Sequence, residues 1–273
     1  MSGYLVTDKK KITTTKFAAM KRNGEKISML TAYDYTTAGI IDAAGVDSIL
    51  IGDSASNVMA GNAYTLPITL DQMIYHARSV VRAVSRALVL ADMPFGSYQI
   101  SREDAIRNAC RMMKESGVDA LKLEGGVEIL DTVKGILDAG IPVCAHLGLT
   151  PQSVNKFGGY GIRAKDEAEA EKLMNDARLL DEAGCFAVVL EKVPAKLAAE
   201  VTKNVSMATI GIGAGNGTDG QVLVYADALG MTQGFKPKFL RHFANVGEVM
   251  TNGVGDYVRA VKESSFPNSD ESY

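Results

Sequence analysis

Four short apolar runs in the chain each lead to a carboxylate: LIGDS at Asp53, LVLADMP at Asp92, ALKLEGG at Glu124 and AVVLEK at Glu191. An apolar run broken by one acid reads as a buried parallel strand whose last residue emerges at an edge. When all strands run the same way those edges converge on one face, where sites are built. Acids meeting there repel one another unless a cation or a shared proton compensates. A bound divalent metal with a catalytic carboxylate beside it is the economical arrangement.

Strand parity adds a lysine. Lys122 and Glu124 are two apart and point to the same side; on a helix-covered face both would be buried unpaired, so they fit a barrel lumen near its mouth. A structural ion pair between them is the plainer alternative. Asp53 and Asp92 end unrelated strands, and either alone could cap a helix; as a set, hard oxygen ligands without a His or Cys cluster point to Mg²⁺, with Mn²⁺ a substitute. His146 ends a strand in the same series, whereas His76 falls mid-helix and His242 in a C-terminal helix. Ser54, next to Asp53, can offer its hydroxyl or N–H to an anion. IGIGAGNG at 210–217 lacks the following helix of a dinucleotide fingerprint, which leaves a glycine-rich strand and turn allowing close backbone approach to a ligand. The loop 147–165, with its Gly-Gly pair, reads as a functional lid.

The elements that must carry these residues repeat: helix, small residue, Gly, short apolar strand, as in AAGVDSILIGD, ESGVDALKLEG, DAGIPVCAHLG and EAGCFAVVLEK. Glycines 45, 117, 140 and 184 suit the left-handed position that stops a helix. Strands are expected over 28–33, 48–53, 87–92, 120–124, 142–146, 186–191, 209–213 and 221–225. Thr69 and Gln72 make a capping box, Ser101 with Asp104 opens the next helix, Pro194 suits a first helical residue, and 166–183 is a helix with an acidic solvent face. Alternating strands and helices over 273 residues favour a single (β/α)₈ barrel of the TIM type spanning 1–273, with a helix over 13–20 closing its bottom. GNGTDG is too short for a crossover helix between the last two strands. From Ser264 the tail is polar and expected to be disordered.

Composition excludes several classes. Apolar residues make up 47%, charged residues 22%, and the net charge is −3 with both signs interspersed. No basic stripe supports nucleic-acid binding, and an anionic substrate must be held by local cations. The scattered Cys110, Cys144 and Cys185 read as small hydrophobes in a reducing compartment. The opening MSGYLVTDKKKITTTKF has no apolar signal core, and no run is long enough to span a membrane. A cytoplasmic location is expected.

Long strings in the chain resemble one family: GDS (52–54), TLPITLDQMIYH (65–76), ADMPFGSYQ (91–99), KLEGG (122–126), HLGLTPQS (146–153) and IGIGAG…DGQVLV (210–224) are similar to the ketopantoate (3-methyl-2-oxobutanoate) hydroxymethyltransferases, in order from about Ile12 to Val261. The resemblance implies a Mg²⁺-dependent (β/α)₈ barrel, commonly a decamer, akin to the phosphoenolpyruvate mutase and isocitrate lyase superfamily. It implies transfer of a one-carbon unit from 5,10-methylenetetrahydrofolate to 3-methyl-2-oxobutanoate, giving 2-dehydropantoate on the pantothenate and coenzyme A route through a Mg-stabilised enolate. By motif, Asp53 and Asp92 would coordinate Mg²⁺, and Glu124 would complete its shell directly or through water. Asp53, Ser54, Asp92 and Lys122 would hold the ketoacid, Glu191 would be the general base, and His146 would line the pocket. A lyase or mutase of that superfamily is the competing enzyme reading; it needs a catalytic Cys or basic cluster after a mid-barrel strand, and the loop here has neither. A non-catalytic metal-binding or scaffolding barrel predicts tolerance of Glu191→Gln.

Overall fold

The computed structural model describes residues 11–232, 234 and 236–273; residues 1–10, where a secretory signal was looked for, lie outside them. Eight short strands close into a parallel barrel in chain order: β1 (Ile27–Thr31), β2 (Ser48–Ile51), β3 (Leu88–Asp92), β4 (Ala120–Glu124), β5 (Val143–Gly148), β6 (Ala187–Glu191), β7 (Ala208–Ile212) and β8 (Gly220–Leu223). The helices are α1 (Thr14–Arg22), α2 (Tyr35–Ala43), α3 (Ala55–Val58), α4 (Leu70–Val81), α5 (Arg102–Ser116), α6 (Leu130–Asp138), α7 (Val154–Phe157), α8 (Glu167–Ala183), α9 (Ala195–Asn204), α10 (Tyr225–Ala228) and α11 (Val246–Lys262). This is the expected (β/α)₈ architecture. Among the described residues no helix is long and apolar enough to cross a membrane.

Local signals set the helix ends. The Thr69–Gln72 capping box opens α4, and the Ser101, Asp166 and Thr13 side chains accept from the backbone N–H of Asp104, Glu169 and Lys16 to start α5, α8 and α1. Pro194 is the residue before α9 rather than its first. Strand ends differ from expectation: β1, β7 and β8 stop at Thr31, Ile212 and Leu223, one or two residues early, and two further ends shift where a glycine intervenes. β2 stops at Ile51, so Asp53 stands beyond Gly52, and β5 runs on to Gly148, so His146 is inside the strand.

Inward parity builds one lumen core from Ile27, Met29, Leu50, Leu88, Leu90, Ala120, Cys144, Ala187, Val189, Ala208, Ile210 and Val222. Phe17 and Met20 of α1 join it at the strand beginnings, which is the expected closure of the bottom, and Phe17 stacks edge-on against Phe186. β7 and β8 are joined by residues 213–219 without a helix, far shorter than a usual crossover. The turn is held by Asp219, whose carboxylate accepts from Thr209 N–H and pairs with Lys21, both at 2.9 Å. The glycine-rich stretch serves packing here: a Cβ on Gly217 would come within 2.7 Å of Ala199 and one on Gly215 would run into Ala195, both on α9. At Gly215 and Gly217 the close approach is to a helix.

Asp42 shows how the strand that carries Asp92 is anchored. It is 8% exposed on α2 and accepts from the N–H groups of Ser85, Arg86 and Ala87 and from the Ser85 hydroxyl, fixing the start of β3. Burial pushes its carboxyl up, and these hydrogen bonds outweigh burial to hold it below the ordinary range. Such a group stabilises the fold above its unfolded pKa, and the contribution is lost as pH falls through the folded value. Asp42→Asn is expected to cost about 1.5–3 kcal/mol at neutral pH, with the gap from the unsubstituted chain closing in acid. Urea denaturation at both pH values checks this; an equal gap at both would refute it.

The chain divides by packing into two compact units, Met1–Leu223 and Val224–Tyr273. In the second, His242 lies in irregular chain ahead of α11, not within a helix. α11 exposes Val249, Met250, Val254, Tyr257, Val258 and Val261, and beyond it Asn268 caps a one-turn 3-10 helix, Ser269–Glu271, in the polar tail.

Candidate active site

Going up the lumen, the same inward parity that carries Leu88 and Leu90 reaches Asp92. That of Ala120 reaches Lys122 and Glu124, that of Cys144 reaches His146, and that of Ala187 and Val189 reaches Glu191. Register does the rest: Asp92 is level with Lys122, Glu124 with His146, and Glu191 with Gly148. An apolar column thus becomes an ionisable ring at the C-terminal mouth, the face where barrels of this kind carry their sites.

The predicted residues form one chain of contacts. Asp53 N–H donates to Asp92 Oδ2 at 3.0 Å, and Lys122 Nζ sits 2.9 Å from Asp92 Oδ1 and 3.8 Å from Glu124 Oε1. Lys122 also lies 3.0 Å from His146 Nδ1. An ammonium has donors only, so Nδ1 accepts and the ring proton is on Nε2, which faces Glu191 Oε2 at 3.4 Å. Ser54, one residue past Asp53, exchanges a 2.7 Å hydrogen bond with Tyr33, whose carbonyl takes a 2.8 Å bond from His76. His76 is therefore mid-helix, as expected, and supports Tyr33.

Charge in this cluster is unbalanced. Asp53, Asp92, Glu124 and Lys122 are all 6% exposed or less. Three carboxylates against one ammonium leave two negative charges when all are ionised. Burial, then Asp92 and Glu124, push the Asp53 carboxyl well above its usual range, and burial with Asp92 pushes Glu124 up to about 7 against the pull of Lys122. Burial alone would lower the Lys122 ammonium, but Asp92, Glu124 and Asp53 outweigh it and hold it above its ordinary value. Burial and Lys122 both lower His146, keeping it neutral. Asp92 Oδ1 and Glu124 Oε1 are buried without a completed hydrogen bond; the Lys122–Asp92 contact is close enough for an ion pair but poorly aligned for a hydrogen bond. Two orphaned acceptor oxygens and two excess negative charges fit one divalent cation held by oxygen donors. Among the described residues no three His, Cys, Asp or Glu already converge as a complete cage. That suits Mg²⁺, which takes one or two protein carboxylates and fills its shell with water and substrate.

Two residues that the sequence reading left without a role sit among these groups. Gln152, 6% exposed, donates from Nε2 to Asp53 Oδ2 (2.9 Å) and to the Met93 carbonyl (3.0 Å), and its backbone N–H donates to Glu124 Oε2 (2.9 Å). Tyr98 donates its hydroxyl proton to Gln152 Oε1 at 2.7 Å and accepts from Glu124 N–H at 3.1 Å. Both lie in the quoted strings HLGLTPQS and ADMPFGSYQ, but nothing in their type or spacing marks them as inward-facing.

The loop expected as a lid is partly folded. Residues 151–153 form a 3-10 turn and α7 follows; the remainder is tied back to the end of β6 by Arg163 N–H on the Lys192 carbonyl (2.8 Å) and by Lys192 on the Tyr160 carbonyl. A cavity of about 340 Å³ opens beside Glu124, Gly148 and Gln152, with Phe157 and Lys156 of this loop on its wall. Gly148 has φ +88°, and a Cβ there would run into the Glu191 carbonyl and the Val193 side chain. Gly148→Ala is expected to displace Glu191 and to cost about 1–3 kcal/mol, with a loss of turnover larger than the stability loss explains. Retained turnover in a folded Gly148→Ala variant would contradict the close approach.

A sequence model described as ketopantoate hydroxymethyltransferase matches residues 11–269. The chain belongs to that family. Within the family, it is 62% identical over 273 residues to the 3-methyl-2-oxobutanoate hydroxymethyltransferase of Phocaeicola vulgatus, covering 100% of each chain. It is 63% identical over 266 residues to the enzyme of that name from Flavobacterium johnsoniae, covering 97% of this chain and 98% of the relative. Among solved structures, a phosphonopyruvate hydrolase complexed with oxalate and Mg²⁺ superposes with TM-score 0.61 at 10% identity, covering 95% of this chain and 93% of that one. The phosphoenolpyruvate phosphomutase of Streptomyces platensis superposes with TM-score 0.61 at 13% identity, covering 92% and 88%. At those identities the likeness is one of fold: this ketopantoate hydroxymethyltransferase family member shares the barrel architecture.

Proposed function

We propose that the chain transfers a hydroxymethyl group from 5,10-methylenetetrahydrofolate to 3-methyl-2-oxobutanoate, giving 2-dehydropantoate. The observation that carries this reading is the mouth of the barrel, where a buried anionic cluster short of two positive charges adjoins Glu191, the most accessible carboxylate of the ring at 16% side-chain exposure, in a chain closely similar to enzymes of that name. Asp53 and Asp92 are the proposed ligands of Mg²⁺, with Glu124 completing the shell directly or through water. The metal supplies Lewis-acid polarisation of the 2-oxo acid, which makes the neighbouring C–H acidic.

The side chains divide the remaining work. Ser54 and Lys122 hold the ketoacid, with Asp53 and Asp92 at the same place. Glu191 takes the C3 proton as general base, with the neutral Nε2–H of His146 facing its carboxylate at 3.4 Å, short of a completed hydrogen bond. Lys122 faces the negative charge that develops on the substrate. The carbon nucleophile so formed bonds to the folate methylene as one C–N bond opens. Water then displaces the second folate nitrogen and supplies the hydroxyl oxygen. Tetrahydrofolate leaves with its nitrogens taking the C3 proton from Glu191 and one proton from the water, and no covalent bond to the enzyme forms. The cavity beside Glu124 and Gly148 gives the second reactant room next to the cluster. The whole chain, 1–273, is proposed as one catalytic domain, supported by a family match that runs through both compact units. Exposed apolar side chains along α11 support the homo-oligomer, proposed as a decamer, and three free cysteines support a reducing, cytoplasmic setting.

The test is direct. The purified chain with ketoacid, methylenetetrahydrofolate and Mg²⁺ should form 2-dehydropantoate, and chelation of the metal should stop it. A chain that instead cleaves a 2-oxo acid without folate belongs to the competing lyase or mutase reading and not to this one.

A further inference from the structure

Gln152 is an uncharged side chain that bonds directly to a carboxylate of the acidic cluster, and its amide has only one workable orientation. Asp53 Oδ2 and the Met93 carbonyl are acceptors, so both must face the NH₂ end. The other end, Oε1, then needs donors and has two: the Tyr98 hydroxyl at 2.7 Å and the Gln99 amide at 3.1 Å. Tyr98 has one hydroxyl proton and two acceptors in reach, Gln152 Oε1 at 2.7 Å and the Glu124 carbonyl at 3.1 Å, and the shorter contact is to Gln152; its oxygen accepts from Glu124 N–H. A flipped amide would set Oε1 against two acceptors and NH₂ against two donors. The bonds reach the end of β3 (Met93), the turn after β2 (Asp53) and the loop after β5 that carries Gln152. Gln152 N–H also holds Oε2 of Glu124 at the end of β4, leaving Oε1 of that carboxylate orphaned.

We infer that Gln152, oriented by Tyr98, is a positioning residue that turns the Asp53 and Glu124 carboxylates so that each keeps one oxygen for a divalent cation. The inference rests on the cation site proposed above. Each carboxylate has one oxygen engaged by Gln152, at 2.9 Å in both cases. Without the amide, Asp53 Oδ2 loses its donor inside a buried site and the carboxylate is free to rotate toward Lys122 or to stay protonated. Residues that hold metal ligands in this way typically change affinity by about 10–100-fold when removed.

The experiment uses Mn²⁺ as probe on the full chain, with the free-ion signal followed by electron paramagnetic resonance. Gln152→Met keeps the length and bulk of the side chain but removes its donor and acceptor, so a packing role survives it and a positioning role does not. The expected result is a Kd for Mn²⁺ raised about 10–100-fold, in a protein whose circular dichroism is unchanged. Tyr98→Phe, which leaves Gln152 in place but removes its shorter Oε1 donor, should weaken Mn²⁺ by a smaller factor. In the Gln152→Met background Tyr98→Phe should add less than it costs alone, because its path through Gln152 is already gone and only its contact with the Glu124 backbone is left to lose. Unchanged Mn²⁺ affinity in folded Gln152→Met overturns the inference; should that variant not fold, unchanged affinity in Tyr98→Phe overturns it instead. Full additivity of the two substitutions also overturns it, by routing Tyr98 through Glu124 alone. Failure of the unsubstituted chain to bind Mn²⁺ removes the cation site itself, and the inference with it.

Discussion

Glu191→Gln is expected to lower turnover by about 10²–10⁴-fold, the usual share of a positioned general base, while Mg²⁺ and ketoacid binding stay within a few-fold of the unsubstituted chain. The amide is isosteric and still meets His146 Nε2, which lies 3.4 Å from Glu191 Oε2, but it cannot take a proton. Glu191 stands across His146 from the Asp53, Asp92 and Glu124 group, so its loss removes a proton acceptor and not a cation ligand. Calorimetric titration of Mg²⁺ and of ketoacid beside steady-state rates separates the two roles. Lost Mg²⁺ affinity would move Glu191 into the metal shell, and retained turnover would remove Glu191 as the general base.

Lys122→Met is expected to be nearly as damaging, and through stability as well as rate. Its ammonium is 3% exposed and is the cation paired with Asp92 and Glu124. Removing one partner of a buried ion pair costs about 3–5 kcal/mol, because the other charge is left uncompensated. Turnover should fall by about 10²–10³-fold, as when one stabiliser of developing charge is removed. Mg²⁺ should restore part of the stability, since it brings positive charge to the same carboxylates. A metal-free Lys122→Met chain as stable as the unsubstituted one would show that the carboxylates are already neutral and the charge argument wrong.

The same electrostatics fixes a pH dependence. Burial and Asp92 raise Glu124 from its ordinary 4.5 to about 7 in the folded chain. The folded state therefore binds its proton more tightly than the unfolded state does, so metal-free stability falls as pH rises between these values. Cation binding displaces that proton. The rise in Tm produced by Mg²⁺ is thus expected to be larger above pH 7 than below it, and thermal scans at several pH values check the sign. A rise that shrinks with increasing pH would place the cation elsewhere.

The barrel was legible in the sequence because four of its strands, β2, β4, β5 and β6, are buried, largely apolar runs that each follow a helix stopping at a glycine. Even the irregular β7–β8 join showed in GNGTDG. Strand ends were less legible. Gly52 takes Asp53 out of β2, and Gly148 at φ +88° still belongs to β5, because backbone pairing and not residue type decides where a strand stops. Asp92, Lys122, Glu124, His146 and Glu191 could be placed at the mouth from parity alone, since an ionisable residue in an apolar strand has few other places to go. Gln152 and Tyr98 could not. They follow strands in loops with no period, and their inward direction is set by a 3-10 turn and by partners from other elements. In the glycine-rich stretch at 210–217 close approach is visible in sequence, but what Gly215 and Gly217 approach, here α9, is not.

The central claim is that this cluster removes the C3 proton of 3-methyl-2-oxobutanoate before any one-carbon transfer. The most direct measurement is deuterium exchange at C3 in heavy water, followed by proton NMR without folate. Exchange should be catalysed by the chain with Mg²⁺, stop on chelation, and be lost in Glu191→Gln. Product formation with folate in a chain that exchanges no C3 proton under any of these conditions would contradict the account.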